Sequence, residues 1–219
     1  MAKIAVIVGS VRSERHGIKV AKWIVAKLQN RGHQVFLVDP VELTLPLLDK
    51  MYKEIESPSK KLQEFQKIIK DADGYVPITP EYNHSVSSAL KNTLDYFLEE
   101  YFFKPSVIIS YSVGSFGGIL AGNHLRQILA EMGTLAIPSQ LSISRVQKVF
   151  DNDGKLLDEN YEKRVSRLLD EFEWYVSAFT KQRENGTLLI SNQIIDIWNN
   201  PEDFHHVISL KNIYKFSCV

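Results

Sequence analysis

Apolar positions along the chain fall into two alternating patterns. "KIAVIV" (residues 3–8), "QVFLV" (34–38), "SVIISYSVGS" (106–115) and "TLAIPS" (134–139) are short runs rich in apolar and β-branched residues. Strands buried on both faces of a sheet need runs of this kind. "DGYVPITP" (73–80) reads as a further strand, although Pro77 has no N–H to give a ladder and favours an edge or a bulge. Between these runs the apolar spacing widens. Ala21, Ile24, Val25 and Leu28 lie at i, i+3, i+4 and i+7, which predicts a helix from Gly17 that stops at Gly32. A polar helix is predicted from Pro58 to Lys70, and another from Ser85 with Val86, Leu90, Leu94 and Phe97 on one face. Leu125, Ile128, Leu129 and Met132 mark the next, and Val165, Leu168, Leu169, Phe172, Val176 and Phe179 the last.

Strand and helix therefore alternate along the chain, which implies βαβ units, a parallel sheet and helices on both faces. Residues 1–183 are read as this α/β domain. Residues 184–219 carry "GTLLI", "NQIIDIW" and "HHVISL" without continuing the alternation, and are read as a C-terminal appendage.

In such folds ligands bind outside the carboxyl ends of the strands, so the residues that follow each strand carry the chemistry. After the first strand comes "GSVRSERHG", with Ser10, Arg12 and Arg15 ahead of a helix. Backbone N–H groups and the positive end of a helix attract anions, a serine hydroxyl can donate, and either arginine can clasp a phosphate. Neither the Walker A pattern nor the dinucleotide fingerprint is present, so a terminal phosphate fits better than a pyrophosphate. The plain alternative is a surface turn with two solvated arginines. After the third strand comes "PEYNHS". Pro80 fixes a backbone angle, Asn83 suits a turn, and Tyr82 can cover an aromatic face; the alternative is a turn with an exposed tyrosine. After the fourth strand comes "SVGSFGG", where Gly114, Gly117 and Gly118 let backbone approach a ligand. All three loops fall on one edge of one sheet.

These three stretches, with Leu90, Lys91, Asn92 and Asp95 on the helix after the second, resemble the NADPH-dependent FMN reductase family over Lys3 to Gln182. The resemblance implies a flavodoxin-like three-layer sandwich with a five-stranded parallel sheet in the order 2-1-3-4-5. It implies bound FMN, with NADPH or NADH as hydride donor and a quinone, an azo compound or free flavin as acceptor. By position, Ser10, Arg12 and Arg15 would hold the phosphate, and His16 and Gly17 would complete that cofactor-binding loop. Pro80, Glu81, Tyr82 and Asn83 would line the isoalloxazine ring, and Ser112, Gly114, Ser115, Phe116 and Gly117 would close its other side. Tyr82 and Phe116 would face substrate, and no protein group need act as nucleophile. A homodimer or tetramer with the flavin near the subunit interface is implied. His84 stands where the family favours a small residue.

Charge and cysteine content narrow the partners. Lysine plus arginine and aspartate plus glutamate both number 26 in 219 residues, so nothing recommends nucleic acid or an anionic membrane. The same balance argues against a one-electron flavodoxin carrier, which is typically acidic. A flavin-binding signalling module that uses the appendage is the other alternative. The single cysteine, Cys218, rules out a disulfide within the chain, and no metal is expected, His205 and His206 included. With no apolar run long enough to span a bilayer, a cytoplasmic protein is expected.

Overall fold

The computed structural model describes residues 1–151 and 154–187. Five parallel strands, β1 (Lys3–Val8), β2 (Gln34–Val38), β3 (Gly74–Pro80), β4 (Pro105–Tyr111) and β5 (Leu135–Ile143), lie in the order β2-β1-β3-β4-β5. Among the described residues six α-helices connect or follow them: α1 (Gly17–Asn30), α2 (Pro40–Leu43), α3 (Lys60–Asp71), α4 (Ser88–Asp95), α5 (Ile119–Glu131) and α6 (Glu159–Glu184). The expected sheet order and three-layer arrangement are both found. His205, His206, Cys218 and most of the expected appendage lie outside the described residues.

Alternate residues of each central strand serve opposite cores, as the two-residue period of a pleated strand requires. Ile4, Val6, Val8, Val76, Ile78, Val107 and Ile109 pack under α1 and α6. Ala5, Ile7, Tyr75 and Ile108 pack under α3, α4 and α5. The long, largely polar α6 is held by Val165, Leu168, Leu169, Phe172 and Val176. Each large apolar side chain so buried contributes about 1.5–3 kcal/mol, which outweighs the weak intrinsic stability of the helix.

Several boundaries differ from the sequence reading. β3 is a central strand, and Pro77 sits in its middle opposite Ile7 of β1. The β3–β4 register runs through Tyr75 and resumes at Ile78, so the proline occupies the stretch where pairing to β4 lapses. β4 also shifts register against β5 between Ser106 and Ile108. The ladder thus tolerates the missing donor at an irregularity rather than at an edge. The fourth strand stops at Tyr111 rather than running to Ser115, and β5 extends to Ile143. α3 begins at Lys60, with Ser59 as its N-cap. α4 begins at Ser88 instead of Ser85, because the Ser87 hydroxyl accepts from the Leu90 N–H and caps it. No helix among the described residues is long and apolar enough to cross a membrane.

Candidate functional site

The first loop leaves β1 at Gly9, whose carbonyl accepts a short hydrogen bond from the Ser87 hydroxyl. One side chain therefore caps α4 and ties the first loop to the second. Ser10 is buried, with its Oγ 3.1 Å from the Tyr82 hydroxyl and 3.5 Å from the Arg12 N–H. The two arginines separate. The Arg12 guanidinium has no partner among the described residues and is exposed. Arg15 instead donates through Nη1 and Nη2 to the two carboxylate oxygens of Asp39, at 2.6 and 2.5 Å, and through Nη1 to the Ser10 carbonyl at 2.8 Å. Its terminal nitrogens are committed, so in this structure Arg15 fixes the loop and does not clasp a phosphate. His16 precedes α1 without a side-chain cap, and the first turn of α1 holds no acid. The N–H groups there keep their attraction for an anion. Gly17 is required sterically: a Cβ at this position would collide with the Tyr111 hydroxyl and lie 3.0 Å from its Cζ.

The second loop explains its unusual composition residue by residue. The Glu81 N–H donates to the Tyr111 carbonyl at 3.1 Å, continuing the ladder past Pro80. Its carboxylate accepts from the Leu120 and Ala121 N–H groups at 3.0 and 3.2 Å. Gly118, the N-cap position of α5, has no side chain to cap with, so Glu81 does so from another loop. The Glu81 side chain is thus turned to α5 rather than lining a ring site, leaving its backbone at the sheet edge. Tyr82 and Ser85 exchange N–H···O bonds of 3.0 Å in both directions. They close a two-residue turn in which Asn83 (φ 50°) and His84 (φ 65°) are both left-handed, as the mirror-type hairpin turn demands. Glycine suits the second position best, while asparagine and histidine tolerate it better than most residues. His84→Val is expected to destabilise the protein by about 1–2 kcal/mol, since a β-branched residue resists this conformation, while His84→Gly leaves stability equal or slightly raised. Urea denaturation of the three proteins checks this; a valine variant as stable as wild type would mean that the turn relaxes out of the left-handed region.

In the third loop, Gly117 (φ 65°) and Gly118 (φ 75°) need glycine's freedom, and a Cβ on Gly118 would also press on the Tyr111 backbone. Gly114 does not: a Cβ there meets nothing closer than the Ser112 hydroxyl at 3.8 Å. Its carbonyl accepts from the Arg145 N–H, and the Ser112 carbonyl accepts from the Val146 N–H, so the segment after β5 braces this loop. Ser115 is exposed and Phe116 is 79% exposed, beside exposed Val113, Ile119 and Leu120.

All three loops thus meet at the carboxyl edge of β1, β3 and β4, and hydrogen bonds tie the second to the first and to the start of α5, the helix that the third loop enters. The helix after the second loop is structural. Lys91 and Asp95 form an exposed i,i+4 pair at 2.5 Å, and Asn92 grips the Pro46 carbonyl and the Leu48 N–H, each at 2.8 Å. His124 reaches the Ser85 hydroxyl at 3.2 Å. Sequence reasoning missed Asp39, Ser87 and Tyr111. Asp39 and Tyr111 stand at or just past a strand end, the one signal that pointed to them, but their partners are distant in sequence. Away from this edge, an open groove of about 660 Å³ runs along α1. There Lys27 already pairs with Glu162, and Lys19 donates to the Asp151 carbonyl. No cluster of three potential metal ligands occurs among the described residues.

The chain is similar to several known reductases. A quinone reductase from Pseudomonas putida is 32% identical over 163 residues, covering 71% of this chain and 85% of that protein. An NADPH azoreductase from Bacillus sp. strain OY1-2 is 28% identical over 183 residues, covering 83% and 97%. The solved structure of FerB, a flavoenzyme NAD(P)H:acceptor oxidoreductase from Paracoccus denitrificans, superposes with a TM-score of 0.62 at 25% identity, covering 83% of this chain and 98% of that one. The model of the family described as NADPH-dependent FMN reductase matches residues 2–148, and the chain belongs to that family.

Proposed function

We propose that this protein binds FMN across the three loops and catalyses NADPH- or NADH-dependent reduction of quinones, azo compounds or free flavin, in the cytoplasm. One observation carries the reading: a buried hydroxyl (Ser10), an unpartnered guanidinium (Arg12) and an uncapped helix N-terminus share the edge at which two further loops present backbone and aromatic side chains. The donor set suits a terminal phosphate, and we assign the backbone of Pro80–Asn83 and of Ser112–Gly117 to the two sides of a planar ring. The chemistry that FMN supplies when bound is acceptance of hydride from the nicotinamide and its delivery to the acceptor.

The chain's own residues bind and orient. Ser10, Arg12 and the N–H groups before Gly17 hold the phosphate, while Arg15 keeps the Ser10 carbonyl and the loop in place. Glu81 and Ser87 keep the ring-facing loop in register with α5 and with Gly9. Phe116, Val113, Ile119 and Leu120 form an exposed apolar rim, which a second copy of the chain would cover in a homodimer or tetramer.

The test is an absorbance spectrum of the purified protein, supplied with FMN, before and after anaerobic NADPH. The expected result is a flavin band that bleaches with NADPH and returns on adding a quinone. A protein that takes up no FMN sinks the proposal. Bleaching without turnover of quinone would favour a one-electron carrier or a signalling module. Arg12→Ala is expected to weaken FMN binding by about 1–3 kcal/mol, the worth of a hydrogen bond to a charged group. Fluorescence titration checks this, and unchanged affinity would mean that Arg12 is merely solvated.

A further inference from the structure

Tyr111 ends β4, and its side chain passes beneath the first loop of the site. The ring stands so close to the turn into α1 that position 17 admits only glycine. The hydroxyl lies against the Gly17 turn, and Ser10 and the Gly17 backbone are the polar groups that act on it. Burial pushes the Tyr111 hydroxyl well above its ordinary value, and the smaller, opposing pull of Ser10 and Gly17 does not reverse this, so it stays a neutral donor. Ser10 Oγ in turn lies 3.1 Å from the Tyr82 hydroxyl, which arrives from the second loop. Three hydroxyls from three separate segments therefore meet where the first loop becomes a helix. A residue that merely filled the core here would need Tyr111's ring and not its oxygen.

The geometry points to Tyr111 as a positioning residue and to the Tyr82 hydroxyl as a direct contact for the cofactor's phosphate, the pair making this site selective for a phosphorylated flavin over the same flavin without phosphate. This rests on the FMN reading above. A phosphate accepts hydrogen bonds, and Tyr82 and Ser10 can each turn a hydroxyl hydrogen toward it. Tyr111 acts through Ser10 and the Gly17 turn, holding the donors where the phosphate oxygens lie. Tyr82 is thereby assigned to the phosphate, with its backbone left to the ring.

The test compares affinities for FMN and for riboflavin, read by flavin fluorescence, in the wild type, Tyr111→Phe and Tyr82→Phe. Each variant is expected to bind FMN about tenfold more weakly, the loss typical of a hydrogen bond to a charged group, with riboflavin affinity changed less than about twofold. A packing role would move both flavins together. Equal loss for both flavins, or unchanged FMN affinity, overturns the assignment. So does tighter FMN binding by Tyr82→Phe, which would make the hydroxyl an obstruction. Tyr82 is half-exposed, so its variant keeps the test decisive if Tyr111→Phe folds poorly. A wild type that binds neither flavin defeats the FMN reading itself, whereas binding with unaltered FMN-to-riboflavin ratios in the variants defeats this inference alone.

Discussion

Replacing Asp39 with alanine is expected to lower the free energy of unfolding by about 3 kcal/mol, among the largest single losses that the site can show. Asp39 is 4% exposed and the Arg15 side chain 12%, and they meet through two bonds of 2.6 and 2.5 Å. Truncation leaves a guanidinium with little water around it and no counter-charge, which typically costs about 3–5 kcal/mol. Arg15 lies in a loop and can swing partly outward, which places the expectation at the lower end. The same carboxylate also accepts from the Val41 N–H at 3.0 Å and caps α2, a role worth about 1 kcal/mol. Asp39→Asn keeps the shape and the cap and loses the charge, so it should cost less. Urea denaturation of the three proteins separates these contributions. A loss under about 1 kcal/mol for the alanine variant would mean that the pair behaves like a solvated surface bridge. Arg12→Ala should show the opposite profile, with weaker FMN binding and little change in stability.

That contrast marks where sequence reasoning stops. The two arginines are three positions apart and look alike in "GSVRSERHG". What divides them is Asp39, brought alongside because β2 neighbours β1, and no local pattern announces it. The same holds for Glu81: its acid is explained by the unpaired N–H groups of Leu120 and Ala121, close in space and remote in the chain. The strands were legible because burial on both faces demands runs such as "KIAVIV" and "QVFLV", and the sheet order followed from the family resemblance. Helix starts were less so, since Ser85 and Ser87 are equally good caps on paper. The Tyr82–Ser85 turn uses the first, leaving the cap to the second. The mid-strand proline misleads for a similar reason: the irregular pairing that accommodates Pro77 belongs to three strands together.

Lys104→Met is expected to destabilise the protein by about 2 kcal/mol at pH 7, with the deficit growing as the pH rises to 10. Lys104 is 8% exposed, and its ammonium donates to the carbonyls of Ile69, Lys70 and Glu100 at 3.0, 2.6 and 2.8 Å. It thereby caps the end of α3. Three hydrogen bonds from a charged group contribute about 1.5–3 kcal/mol each. Burial first, and the nearby Arg183 charge second, push the Lys104 pKa down from 10.5 to about 8. That shift corresponds to about 3 kcal/mol in favour of the neutral amine over the ammonium, so the bonds offset only part of the cost of burying the charge, and the loss expected for methionine comes from leaving three carbonyls without this partner. Between about pH 8 and 10.5 the unfolded chain holds a proton that the folded chain has released. Stability from this group therefore rises with pH in that window, against the usual alkaline decline. Methionine fills the space but has nothing to titrate, so subtracting its stability from the wild type's at each pH isolates the lysine. A difference that stays flat from pH 8 to 10 would show that the folded chain keeps this proton as long as the unfolded one, the three carbonyls then offsetting the cost of burial in full.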